Sequence, residues 1–230
     1  MRTARITLIV VVILGVLFVA ADRIALAIAQ GKAAERAQAT EGLSDKPKIS
    51  IKGFPFLTQA ASGTLDHVTI SADGVVAGGA GRTVEVQDFH ADLYHVKLSD
   101  GYRSAKADRA TGRALITYDE LTKAAGGVTV SYAGPGKTDE VRITGSVRAA
   151  KLSVLSKVTV ADGQDDTVRL RAETVPEPFE SLGLGDEVRH AIDFSPQLSH
   201  LPVGLHLQSV TTGKDGVTVT FSGTGVVLAN

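Results

Sequence analysis

The chain has no cysteine and no tryptophan. The first absence excludes disulfides, thiolate metal sites and a cysteine nucleophile, so the fold must be held by core burial alone. The second, with aromatic residues at only 5%, removes most of the ring faces on which carbohydrate clefts stack sugars. An excess of one charge is lacking too: the net charge is -1, and nothing electrostatic points to nucleic acid. There is no Gly-x-Ser-x-Gly elbow, no Walker loop, and no dinucleotide fingerprint placed between a strand and a helix.

What is abundant is glycine (24 residues) with Val, Thr and Ala, a composition that favours sheet and tight turns over helix bundles. The exception is the start. A basic head, residues 1–5, precedes an uncharged apolar run, residues 6–21, and then an alanine-rich, helix-biased segment, residues 22–40. As a helix the apolar run reaches roughly 24 Å against a hydrocarbon core of about 30 Å. It is short for a spanning helix, and its small-residue end, Val19, Ala20 and Ala21, suits cleavage after Ala21. Signal-anchor and cleaved signal therefore both stand, with a buried core helix as the plain third reading. Arg2 and Arg5 hold the N-terminus inside in either of the first two, so residues 22–230 form an extracytoplasmic domain beyond the signal or anchor of residues 1–21.

Within residues 22–40, Leu26, Ala29, Ala33 and Ala37 share one helical stripe while Lys32, Glu35 and Arg36 face away. Its buried face is small, which suits a close approach to a sheet or room left beside it. Gly42 offers a C-cap and Pro47 prevents continuation. Strands are predicted at residues 48–51 and 65–72, with Gly53-Phe54-Pro55-Phe56-Leu57 between them read as extended. Two phenylalanines flanking a proline need an apolar partner: a core, the mouth of a cavity, or a membrane. Val84 and Val86 begin another strand, whose apolar phase shifts near Gln87 and again near Tyr94-His95, each shift implying a bulge or bend.

A weaker strand, residues 103–117, runs into a helix over 118–125 with Thr117 and Glu120 as a capping box. Strands follow at 128–132, 141–147, 151–160 and 167–173, a third helix at about 186–192, and a final hairpin over 204–210 and 216–221 with an apolar tail at 225–228. The fold expected is α+β: a strongly curved antiparallel sheet wrapped around the long N-terminal helix, with two short helices.

The six histidines offer no ligand spacing. His90 and His95 differ by an odd number and face opposite ways unless a bulge intervenes; His67 and His190 stand apart; His200 and His206 straddle Pro202 and Gly204. Asp162, Asp165 and Asp166 lack the calcium-loop pattern. Neither a metal, a cofactor nor a catalytic residue is implied. An export signal, a helix with a thin apolar face, bent strands and a Phe-Pro-Phe-Leu tip fit a protein that encloses an apolar ligand, and beside a membrane that ligand is lipid.

Particular residues also carry a family resemblance. Asp22-Arg23 opening an alanine-rich helix, Ile51 with Gly53-Phe54-Pro55-Phe56-Leu57-Thr58-Gln59, and Gly63, Leu65, Asp66 and Val68 form its first part. The remainder is Ala114-Leu115-Ile116-Thr117-Tyr118-Asp119-Glu120-Leu121, then Leu201-Pro202, Gly204-Leu205, Asp215-Gly216 and Gly225-Val226-Val227-Leu228. Together they resemble the actinobacterial LmeA-like phospholipid-binding family over nearly the whole chain beyond the apolar run. The resemblance implies a fold like the tubular lipid-binding (TULIP) proteins and a non-catalytic, membrane-associated envelope protein. Its ligand would be a phospholipid, with phosphatidylinositol-type lipids as candidates. In mycobacteria and relatives such a protein supports lipomannan elongation, and a membrane mannosyltransferase is a candidate partner.

Three functions follow. The first is lipid binding or transfer at the outer face of the cell membrane. Its cavity would be lined by Leu26, Ala29 and Ala33 of the long helix, Phe54, Phe56 and Leu57 at the mouth, Leu93 and Val96 on the bent strand, and Leu121, Val188 and Ile192 on the short helices. Each is equally explicable as plain core. The second is an adaptor that stabilises a membrane glycosyltransferase through an exposed apolar patch. The third is an envelope hydrolase with titratable groups gathered in a cleft.

Overall fold

The structure is a computed structural model that describes residues 2–41, 43–79, 82–99, 101, 104–147, 150–160, 168–172 and 203–229. Among these, three helices and twelve strands are present. The apolar run and the alanine-rich segment form one unbroken helix, α1 (Arg2–Glu41), because no proline interrupts it and its only described glycines, Gly15 and Gly31, are solitary. After Pro47 the chain returns as β1 (Lys48–Lys52). A short helix, α2 (Phe56–Ser62), then leads into β2 (Thr64–Ala72).

Helix α2 corrects the extended reading of Phe56 and Leu57. Proline restricts the residue before it, Phe54, but not those after it; Pro55 sits extended at the N-cap position and Gly63 closes the helix in the left-handed region at φ 69°. A hairpin of β3 (Val75–Gly79) and β4 (Arg82–Val86) follows, with Gly78 and Gly79 at the end of its first strand. Next come the long strands β5 (Asp88–Ser99) and β6 (Ser104–Thr117), and then helix α3 (Tyr118–Ala125). The Thr117 hydroxyl accepts the Glu120 N–H at 3.4 Å, one half of the expected capping box, while the Glu120 carboxylate accepts the Glu85 N–H at 3.3 Å. Strands β7 (Thr129–Tyr132), β8 (Glu140–Val147), β9 (Ala150–Val160), β10 (Val168–Ala172), β11 (Leu205–Thr212) and β12 (Gly216–Ala229) complete the order. The predicted helix at 186–192, the Asp162-Gly163 turn, Leu201-Pro202 and Gly42 lie outside the described residues.

Six strands form one sheet in the order β1-β2-β5-β6-β12-β11, and four form a second in the order β10-β9-β8-β7. All pairings are antiparallel. One face of the large sheet carries two cores. Near α1, Ile51, Phe56, Leu65, Val68, Leu93, Val96, Ala107, Ala110 and Val226 are buried together, covered by Ala25, Leu26 and Ala29. At the other end Ala114, Leu207, Val210, Val217, Val219 and Phe221 pack against Val130, Val141, Ile143, Leu152, Val154 and Val158 of the second sheet.

The phase change expected at Tyr94-His95 is present: His95 has φ 49°, the only positive value for a non-glycine among the described residues. Its cause is shared across strands. Leu65 pairs with Val96 and Val96 with Ala107, while Val68 pairs with Leu93 and Leu93 with Ala110. All six are buried although each same-strand pair is an odd three residues apart, so every strand flips at the same level. Gly225, at φ 63°, makes the matching adjustment in β12 opposite Asp108. The flips fall at one level across these strands. No sheet among the described residues is strongly curled, and α1 lies against β1 and α2.

Candidate functional site

The Gly53–Gln59 stretch is a clasp that fixes where α1 meets the sheet. Asp22 is fully buried, its Oδ1 accepting the Leu57 N–H at 2.8 Å and its Oδ2 accepting the Arg23 Nε–H at 3.1 Å. A buried carboxylate without such donors would cost several kcal/mol, of order 1–3 for each unmet hydrogen-bonding group and more for a charge. Gln59, also buried, accepts the Asp66 N–H at 2.9 Å through Oε1 and donates from Nε2 to the Lys52 carbonyl at 3.3 Å, joining the end of β1 to the start of β2. Gly53 is at φ 95°, and a Cβ there would stand 2.5 Å from Gln59 Nε2, so both the turn and the packing demand glycine. Thr58 bonds the Pro55 carbonyl at 2.9 Å. The two phenylalanines separate: Phe56 enters the α1-side core, while Phe54 is 59% exposed beneath the Arg23 guanidinium, 5.2 Å from its ring centroid.

Of the residues expected to line a cavity, the structure brings Leu26, Ala29, Phe56, Leu93 and Val96 into one apolar cluster. Ala33 is half-buried on the same helix, with its neighbour Ala34 the buried one, and Leu57 is half-buried beside the clasp. Leu121 packs elsewhere, against the core between the two sheets, because α3 follows the far end of β6. Val188 and Ile192 lie outside the described residues. An apolar hollow on α1, lined by Val12, Gly15, Val16, Val19 and Ala20, is in the unpacked half of the helix and not in the domain.

The outward face of the large sheet holds a polar cluster that sequence spacing missed. His67 Nε2 is 2.8 Å from Asp92 Oδ1, His90 Nε2 is 3.2 Å from Asp92 Oδ2, and Ser71 Oγ is 2.9 Å from His90 Nδ1. His67 stacks on Tyr94 with ring centroids 4.6 Å apart, and the Arg109 guanidinium covers the other side of Tyr94 at 4.5 Å. Only the β2–β5–β6 register creates this neighbourhood: His67 pairs with Tyr94 and Tyr94 with Arg109, while Ser71 pairs with His90. The residue types of a nucleophilic triad are present here, on β2 and β5, two interior strands of the sheet. Among the described residues no group of three or more His, Cys, Asp or Glu, this cluster included, is arranged so that it could hold a metal ion. Beside the flip at His95, the hydrogen bond and charge of Lys97 hold the Asp108 carboxyl below the usual carboxylate range, with His95 and Lys106 adding to the effect.

Two other features bear on location and ancestry. Among the described residues α1 is the one helix long and apolar enough to cross a membrane, and none of its apolar window is buried. A model of a protein family described as LmeA-like phospholipid-binding matches residues 20–222. No curated protein and no solved structure matches the chain.

Proposed function

The chain belongs to the LmeA-like phospholipid-binding family, and from that premise we propose that it is a non-catalytic phospholipid-binding or lipid-transfer protein at the outer face of the cell membrane. In this reading α1 is a retained signal-anchor and residues 22–230 form the extracytoplasmic domain. Phosphatidylinositol-type lipids are the candidate ligands. The role served is envelope lipoglycan synthesis of the lipomannan type, with a membrane mannosyltransferase as the partner that benefits.

The observation that carries this reading is the seam between α1 and the sheet. Ala25, Leu26 and Ala29 present a low relief to Leu93, Val96 and Phe56, and that seam opens directly onto the membrane-spanning half of the same helix. Acyl chains entering it would part helix from sheet, the arrangement of a tubular lipid-binding protein, with Phe54, Phe56 and Leu57 at the mouth. The apolar side chains released would exchange one apolar contact for another at little cost.

The test is photo-crosslinking of the full chain, reconstituted with a phospholipid that carries a diazirine on its acyl chain, followed by peptide mass mapping. Crosslinks are expected on peptides holding Leu26, Ala29, Leu93 and Val96 as well as on residues 6–21, and Ala29→Phe should remove those in the sheet while leaving the others. Crosslinks confined to residues 6–21 would overturn the reading and bring forward the adaptor, which acts by protein contact alone.

A further inference from the structure

We propose that the domain does not hang free from its anchor but is seated on the bilayer by a second contact, the Phe54 tip together with Ile24 and Ile28 of α1. The inference rests on the anchor reading above and adds to it a defined interfacial surface.

The apolar run of residues 6–21 supplies roughly 24 Å, about 6 Å less than the hydrocarbon core, and about four further helical residues are needed to cross it. Those residues begin with Asp22, a carboxylate that no membrane would accept. The clasp resolves the conflict: Asp22 is turned into the protein, fully buried and bonded to Leu57, while Ile24 next to it is 62% exposed. Ile28, one turn further, is 54% exposed and continues a stripe through Ile24 and Ala21 to Leu17, so the apolar surface of the spanning half runs without a break past the point where the domain begins.

Phe54 stands at that same level. It comes two residues after the end of β1, and Arg23 lies over its ring. An exposed aromatic ring flanked by a guanidinium is the pairing that interfacial surfaces favour, the ring at the acyl boundary and the cation rising to the phosphates. Arg23 and the exposed Lys52 put positive charge at the tip, which suits anionic phospholipid. Burying Phe54 here also accounts for a large apolar side chain that the fold leaves outside although its neighbour Phe56 is in the core.

The absence of tryptophan makes the test direct, because each introduced indole is the only one in the chain. Four full-length variants, Leu14→Trp, Ile28→Trp, Phe54→Trp and Val76→Trp, are reconstituted into vesicles of phosphatidylcholine and phosphatidylglycerol containing lipids brominated at shallow or deep acyl positions. Val76, 65% exposed on the β3–β4 hairpin at the opposite end of β2, is the water reference. Leu14→Trp should be quenched most by deep bromine. Phe54→Trp and Ile28→Trp should emit to the blue of Val76→Trp and be quenched most by shallow bromine, at a depth of about 5–10 Å into the headgroup and acyl boundary. If Leu14→Trp is quenched while Phe54→Trp and Ile28→Trp match Val76→Trp, the seat is overturned and the anchor stands. If Leu14→Trp is itself unquenched, the anchor reading fails and the seat with it. All three probe positions outside the anchor are exposed, so the substitutions do not disturb a core.

Discussion

The two cores of this domain are built on different terms. Between the sheets, Val130, Val141, Ile143, Leu152, Val154, Val158, Val219 and Phe221 interlock as sheet on sheet, and both layers contribute branched side chains to one sealed interior. Beside α1, Ala107 and Ala110 floor a shallower cluster covered by one helix through Ala25, Leu26 and Ala29, and the cover is pinned by the buried polar pair Asp22 and Gln59. Apolar burial is proportional to area and indifferent to register, whereas a buried carboxylate meets its donors in one position only. The far core rests on apolar burial between two layers, and the near core adds to such burial a polar contact that fixes the position of its helix.

The largest effect should come from the far core. Phe221→Ala removes a buried ring at the sheet-to-sheet contact and is expected to cost about 3–5 kcal/mol in denaturant unfolding. It should do so without changing acyl crosslinking per folded molecule. A loss of crosslinking equal to that of Ala29→Phe would break the division between the two cores. Next comes the clasp: Asp22→Ala leaves the Leu57 N–H buried without an acceptor, costing about 1–3 kcal/mol. The loss should be local, read as faster amide exchange in α2 and the α1 face while the β8 and β9 amides keep their protection. Uniform acceleration across both cores would show that the near core is not a separable unit.

A smaller effect of opposite sign sharpens the picture of the far core. Ser156 in β9 is fully buried, and its hydroxyl meets no hydrogen-bond partner. Ser156→Ala discards an unmet polar group at almost constant volume, and a gain of up to about 1–2 kcal/mol is expected in thermal or denaturant unfolding. A destabilised variant would mean that the hydroxyl is satisfied, and that this core is not sealed.

The sequence revealed these regions unequally. Period-two patterning located β1, β2, β5, β8 and β9, and the odd spacing of Leu93 and Val96 announced the flip at His95 before any register was known. It could not announce that β2 and β6 flip at the same level, because alignment between strands is a property of pairing. Central strand β6 looked weak because its core positions are Ala107, Ala110 and Ala114, small residues chosen by close packing and not by strand propensity. The clasp motif was visible as a motif, yet the split between inward Phe56 and outward Phe54 needed the α2 turn. The His67–Asp92–His90 cluster was illegible for the same reason as the shared flip: its members meet only through register.

The smallest expected effect concerns the rim of the far core and separates the two regions by pH. Tyr118, the first residue of α3, packs against that core and donates its hydroxyl to the Gly213 carbonyl at 2.6 Å. Burial, with the nearby Tyr132 adding to it, pushes its pKa from 10.0 up to about 12. The folded state thus favours the protonated phenol. Its contribution is whole below pH 10, declines above the unfolded value and is gone once pH passes about 12. Alkaline titration between those limits should weaken the far core first, seen as amide exchange accelerating in α3 and in the β11–β12 turn while the Leu57 amide stays protected. Tyr118→Phe gives up the bond to Gly213 at every pH and should flatten the dependence across this window. A variant that keeps the full alkaline loss would assign it to other groups and leave the pH response no longer a property of one core.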